Sequence, residues 1–456
     1  MEGGPMVFKR KRLMKRLILS MLLCAGAMYG ANTSVKYIQR SMAAMEYSTE
    51  KKPSVVRVFF YGQSIVAQNW TDLIEKQLRD KYPTVQFEFC KKAIGGFTSE
   101  ALVRTAENDL YPWNPDLLFF HVYGSLVQYE EIIRKTRERT AAEIILWSSH
   151  LSKGQDPQAM LEKRDARSQG IEDIARRYDC MYIDLNKKWC GMLLSKKKQA
   201  TDFLRDNIHL NPEGVKRYAQ FIGEELVRVP EYGEGQPTSG KIITIQASDF
   251  GDAAVDGSQT VAFTGNRVVA ISNGKGKEGV KAEILLDGKP LATMTELWGV
   301  TRSSTGPYIW MPALKHIGFE KPLLEEDWKL VCQPDSSKDG KFLHYKVTGS
   351  KTGDDGEGTT MMDRFVSVSG RVIIERRDWH VAWPLSYTKH ELPENFTVTW
   401  KTYPLFTTPY APQPAGTRTL LIQGCSNGGH ALTFKGATAE ELGIGALQVN
   451  CPSFKP

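Results

Sequence analysis

Three side chains in this sequence have the makings of nucleophilic acyl transfer. Ser64 follows an apolar run in Gly62-Gln63-Ser64-Ile65, and far downstream stands Asp206-Asn-Ile-His209, a carboxylate and an imidazole three residues apart. A serine hydroxyl is a poor nucleophile until a base takes its proton, and an imidazole with an ordinary pKa of ~6.5 can do so at neutral pH. A carboxylate beside that imidazole can accept its other N–H, fix the tautomer and stabilise the imidazolium. Gly95-Gly96 offers unhindered amides toward an oxygen that turns negative under attack. Each residue also has a plainer use. Ser64 could cap the next helix, Asp206 and His209 could be a loop ion pair, and the glycines could serve a turn. His150 is a rival base, a possible substrate contact or an exposed polar residue, and His121 reads as structural.

The elements that would have to position these groups alternate along the first half of the chain. Val55–Tyr61 is a β-branched and aromatic run suited to a strand buried on both faces. Residues 69–81 read as helix, Val85–Cys90 as strand and Ser99–Asn108 as helix. Asp116–Val122, Glu143–Ser148 and Met181–Asp184 supply further strands, with a helix over Tyr129–Thr140 and another opened by Pro212 and ending near Val229. Strands alternating with helices predict βαβ units and a parallel sheet. Ligands of such a sheet bind outside the carboxyl ends of its strands. Gly62–Ser64, Gly95-Gly96, Gly124-Ser125, Ser149-His150 and the Asp206–His209 segment all fall on that rim.

Residues 230–240, rich in Pro and Gly, read as a linker. From 241 to 456 the pattern becomes short alternating or β-branched runs without long helices, which predicts an all-β sandwich. Asp287-Gly288 and Asn427-Gly428 read as hairpin turns. Gly353–Gly358 reads as a solvated acidic loop without EF-hand spacing.

Charge placement restricts the partners. The formal net charge is +7, of which +5 belongs to residues 1–31, leaving +2 for the rest. A body that close to neutral lacks an electrostatic footprint for nucleic acid. Lys9–Arg12, Lys15 and Arg16 run into an apolar stretch from Leu17 to Ala27 that ends in small residues, the pattern of a secretory signal peptide over residues 1–31. The stretch is shorter than the ~20 residues of a bilayer span, so the expectation is a secreted or periplasmic protein with no membrane contact beyond the leader. Export leaves two readings for the six remaining cysteines. Cys180 with Cys190 and Cys425 with Cys451 are local pairs, or all six are free buried thiols. No cysteine has metal-ligand spacing with a histidine, and no metal or cofactor is expected.

Over residues 54–229 the chain resembles the SGNH/GDSL hydrolase superfamily. Gly62-Gln63-Ser64-Ile65 is similar to its first block, with Gln63 where aspartate is commoner. Ile94-Gly95-Gly96-Phe97-Thr98 is similar to its second, and Asp206-Asn-Ile-His209-Leu-Asn-Pro-Glu-Gly214 to its last. The third block departs from the pattern, with Ser125 where the family has its oxyanion asparagine. The resemblance implies a flavodoxin-like three-layer α/β domain, a Ser64–His209–Asp206 triad and an oxyanion hole from Ser64, Gly96 and Ser125. Gln63 and His150 are possible substrate contacts. Residues 32–53 are then an N-terminal extension. Phe263–Val268, Ala282–Gly288, Leu421–Gly424 and Asn427–Thr433 resemble strands of galactose-binding-like jelly rolls, with residues about 290–400 as a large insertion. Trp298, Trp310, Trp379 and Trp383 are candidates for stacking on sugar rings or for core packing. The expected function is ester hydrolysis, O-acetyl removal from a polysaccharide. The alternatives are an O-acetyltransferase using the same triad and a glycan-binding protein with a weakened site.

Overall fold

The computed structural model describes residues 32–233 and 240–453; the leader and most of the expected linker lie outside the described residues. Chain order in the first domain is α1 (Gln39–Glu46), β1 (Val55–Gly62), α2 (Trp70–Lys81), β2 (Gln86–Lys91), α3 (Ser99–Asp109), β3 (Leu117–His121), α4 (Leu126–Arg139), β4 (Glu143–Trp147), α5 (Pro157–Glu162), α6 (Ala166–Arg177), β5 (Met181–Ile183), α7 (Leu185–Ser195) and α8 (Pro212–Gly223). The strands form one parallel sheet in the order β2-β1-β3-β4-β5.

The apolar runs explain the layering. Alternate residues of a strand face opposite ways, so Val56, Val58 and Phe60 enter one core while Phe59 and Tyr61 enter the other. Leu117 and Phe119 of β3 divide from Leu118 and Phe120 in the same manner. Residues from α2, α7 and α8 cover the first face; residues from α3, α4 and α6 cover the second. This is the three-layer α/β domain expected. Residues 33–46 belong to it as well, because Val35, Ile38, Met42 and Met45 are buried in the first core.

The all-β character expected after the linker is present. An antiparallel sheet in the order β6 (Lys241–Gln246), β18 (Ile444–Cys451), β7 (Gln259–Ser272), β17 (Arg418–Lys435), β8 (Glu283–Leu286), β9 (Lys289–Pro290) encloses one core. The stretch expected as an insertion folds around a core of its own. Its sheet has the order β10 (Trp298–Val300), β16 (Thr397–Pro404), β11 (Glu326–Cys332), β12 (His344–Gly349), β13 (Gly353–Thr359), with the hairpin β14 (Arg364–Val366) and β15 (Ile373–Glu375) and a short helix α9 (Ala382–Thr388). Asp287 and Gly288 both have positive φ, 51° and 74°, and turn β8 into β9 as expected. Two local expectations change, and of the two readings of the cysteines one is selected. Asn427-Gly428 lies inside β17 at a register shift rather than in a hairpin turn. Gly353–Gly358 is part of β13, where Asp355 accepts bonds from the amide and hydroxyl of Ser369. The six cysteines are free; burial pushes the Cys180 thiol up to about 11. Among the described residues no helix is long and apolar enough to cross a membrane.

The inserted β unit is clamped to α3 by two ion pairs. Arg104 grips Asp378 at 2.8 and 2.7 Å, and Arg302 grips Asp109 at 2.6 and 3.0 Å. Both carboxylates are buried, with at most 1 % of the side chain exposed. Burial raises the pKa of Asp109 and Arg302 opposes that rise. Removing one partner of a buried pair costs about 3–5 kcal/mol, so Arg302→Ala should lower thermal stability clearly. A carboxyl whose folded pKa exceeds its unfolded one destabilises only when ionised, so the loss should be larger at pH 8 than at pH 5. Melting curves at the two pH values check both statements.

Candidate active site

The site begins where β1 stops. A Cβ on Gly62 would meet the carbonyl oxygen of His121 at 2.1 Å, so only glycine lets β1 and β3 end this close together. The chain then turns through Gln63, whose Oε1 accepts the amide of Ile65 at 2.6 Å and lies 3.0 Å from Ser64 Oγ. Gln63 is 3 % exposed, so it shapes the turn from beneath.

The histidine arrives from the loop before α8. Asp206 Oδ1 accepts the amides of Ile208 (2.9 Å) and His209 (2.7 Å), winding the loop about the carboxylate. Its Oδ2 lies 2.8 Å from His209 Nδ1, and His209 Nε2 lies 2.9 Å from Ser64 Oγ. The amides of Ile208 and His209 hold the Asp206 pKa down at about 2, so the carboxylate stays charged. A charged carboxylate at Nδ1 keeps a proton there and leaves the Nε2 lone pair facing the serine hydroxyl. Gln68 ties the two loops together, accepting from the amide of Leu210 and donating to its carbonyl (3.2 and 3.0 Å). Asn211 caps α8 and Pro212 opens it, which fixes where the loop ends.

The second glycine segment passes over the serine. A Cβ on Gly95 would lie 3.6 Å from Ser64 Cβ, and Gly96 has φ +87°, a conformation side chains disfavour. The remaining candidates fall elsewhere. Ser125 caps α4 by accepting the amide of Val127 at 3.1 Å, and its own amide donates to Glu100 at 3.1 Å; among the described residues no hydrogen bond joins it to Ser64 or His209. His150, expected on the rim, is 2 % exposed beneath the His209 loop. Its Nε2 meets the carbonyl of Ile208 at 2.7 Å, and burial lowers its pKa to about 4. A neutral ring donating to that carbonyl supports the loop. His121 is fully buried, its pKa lowered to about 3 by burial, as befits a structural residue.

Residues of the inserted β unit reach the same rim. Trp310 Nε1 donates to the carbonyl of Gly95 at 2.9 Å, Met311 covers Gly96, and His380 meets Phe97 edge-on at 5.1 Å. Of the four candidate tryptophans, Trp298 is buried, Trp379 packs against Tyr345, and Trp310 and Trp383 are exposed. Nothing in the sequence places residue 310 beside residue 95; that contact is made only when the two units dock.

Fold and site together define the class: a three-layer α/β domain carrying a Ser–His–Asp relay on the carboxyl edge of its sheet. No family model matches the chain, and no curated protein matches it. Solved structures similar to it include Axe2, an acetylxylan esterase from Geobacillus stearothermophilus, at 18 % identity over 38 % of this chain and 94 % of that one, TM-score 0.33. Others are LAE5, an α/β hydrolase enzyme from the metagenome of Lake Arreo, Spain (16 % identity, 40 % of this chain and 97 % of that one, TM-score 0.34), and a putative GDSL-like lipase from Parabacteroides merdae (13 %, 38 % and 95 %, TM-score 0.32).

Replacing Asp206 by Asn removes the charge that selects the tautomer. In a comparable triad that change lowers kcat by ~10⁴, and the same order of loss is expected for Asp206→Asn with an unaltered circular-dichroism spectrum. Steady-state kinetics on p-nitrophenyl acetate read it.

Proposed function

We propose that this protein is a serine ester hydrolase of the SGNH/GDSL type that removes O-acyl groups, acetyl above all, from a carbohydrate outside the cytoplasm. The observation that carries the reading is the unbroken Asp206–His209–Ser64 relay, at 2.8 and 2.9 Å. In the reaction, Ser64 Oγ attacks the ester carbonyl as its proton passes to His209 Nε2. The carbonyl oxygen becomes an oxyanion facing the amides of Ser64 and Gly96. Collapse expels the sugar hydroxyl, protonated by His209, and leaves an acyl-serine. Water, deprotonated by His209, attacks that ester; the carboxylic acid departs and Ser64 regains its proton. A sugar hydroxyl in place of this water would make the same site an O-acetyltransferase.

The carbohydrate half of the reading has two supports, the leader pattern and an aromatic ladder beside the site. From Phe97 the rings continue through His380 to Trp383 (5.5 Å, 23° between planes) and on to Tyr387 (5.0 Å, 9°). Trp383 and Tyr387 are at least half exposed. Exposed aromatic rings present broad apolar faces with polar tips, which suit the apolar faces of sugars.

Acetate release from acetylated xylan should require both Ser64 and His209, since losing either member of such a triad costs ~10⁶ in kcat. Release that survives Ser64→Ala would overturn the enzymatic reading, and acetyl transfer to sugar without free acetate would favour the transferase. Trp383→Ala with Tyr387→Ala should raise KM for acetylated xylan roughly two- to twelvefold per ring, from about 0.5–1.5 kcal/mol of aromatic contact. Turnover of p-nitrophenyl acetate by that double variant should match wild type; equal KM values on the polymer would sink the ladder's role.

A further inference from the structure

The inserted β unit extends a tongue, residues 305–312, into the α/β domain. The tongue is closed by the Thr305–Pro312 bridge and by a bond from the amide of Gly306 to the carbonyl of Met311 at 2.7 Å. Ile309 and Met311 are buried in the core on the α3 side of the parallel sheet. Trp310 stands between them, points the other way and is 63 % exposed. A tryptophan left so open is no core residue, and its indole N–H is committed to the Gly95 carbonyl, 2.9 Å away.

That carbonyl belongs to the peptide unit whose N–H is the amide of Gly96. A peptide is planar and trans, so fixing its oxygen fixes the direction of its hydrogen. Between two glycines the unit would otherwise rotate with little steric hindrance. The bond from the Phe97 amide to the Ile94 carbonyl (3.2 Å) closes a turn around this unit without touching its own carbonyl or N–H, and three contacts from the inserted unit add to it: the Trp310 N–H on the carbonyl, the Met311 methyl against Gly96, and the His380 ring against Phe97. Among the described residues the Gly96 amide itself donates to nothing, which leaves it free for a ligand oxygen. A hydrogen bond accepted by the carbonyl also polarises the unit and strengthens its N–H as a donor.

We propose that Trp310 is a positioning residue: through the Gly95 carbonyl it aims and polarises the Gly96 amide at the oxyanion, so the inserted β unit completes the active site. This rests on the ester-hydrolase reading of the Ser64 site.

The test is Trp310→Phe, which keeps a ring and loses the N–H. Losing an oxyanion donor outright costs 10²–10³ in kcat; losing only its orientation should lower kcat on p-nitrophenyl acetate by roughly ten- to a hundredfold, with KM within about twofold. A second readout is independent of turnover. With glycine labelled at both ¹³C′ and ¹⁵N, only the Gly–Gly sequences at 3–4, 95–96 and 428–429 give a carbonyl-to-amide correlation, and Gly428→Ala removes one of them. Trp310→Phe should move the Gly95–Gly96 peak and leave the Gly428–Gly429 peak in place. An unmoved peak, or wild-type kcat in an active background, overturns the proposal. If wild type shows no Ser64-dependent turnover, the ester-hydrolase reading has failed and the rate claim with it, whereas a moved peak still establishes the hold of Trp310 on the peptide.

Discussion

The hydrogen bond between His209 and Ser64 closes a gap that local structure cannot bridge. The two residues belong to the first and last parts of the α/β domain, and each sits on a loop whose shape is set by its own short-range bonds. Gln63 forms the serine turn, the Asp206 carboxylate winds the histidine loop, and neither loop alone has any chemistry. They meet because β1 lies inside the parallel sheet, between β2 and β3, and α8 packs on the face that β1 shares with α2, with the paired bonds between Gln68 and Leu210 setting the spacing. The buried aromatic layer beneath, Trp70, Trp147, Trp189 and Tyr218, makes that spacing rigid, as dense packing transmits position better than flexible surface contacts.

A second constraint comes from outside the domain. The clamp between α3 and the inserted β unit uses guanidinium–carboxylate pairs, whose two-pronged geometry specifies angle as well as distance. Burial makes each pair costly to break. Held in this way, the tongue delivers Trp310 and Met311 to the glycine segment beside Ser64. The β-rich half of the chain is thereby more than an appendage for binding: its inserted unit forms one wall of the rim on which the serine lies.

The blocks around Ser64, Gly95-Gly96 and Asp206–His209 were legible because their residue types are few, their chemistry is specific and they fall after recognisable strands. The strands themselves were legible from apolar runs buried on both faces. Position along a strand was clear, depth was not. His150 and Gln63 occupy the carboxyl edge as expected, yet both lie under the surface, since whether a loop residue points up or down depends on what packs on it. The bulge at Asn427-Gly428 has the same origin: a turn dipeptide was absorbed by the long pairing of β17 with β7.

By itself, then, the sequence determined the α/β domain with Ser64, Asp206 and His209 on its carboxyl rim, and the β-rich character of residues 241–456, because hydrophobic periodicity and short-range residue chemistry are local properties. Tertiary structure alone decided that residues 33–46 join the first core, that the cysteines stay apart, and that Trp310 bonds to Gly95. These are contacts between segments far apart in the chain, and no periodicity in either segment encodes the surface that the other will present.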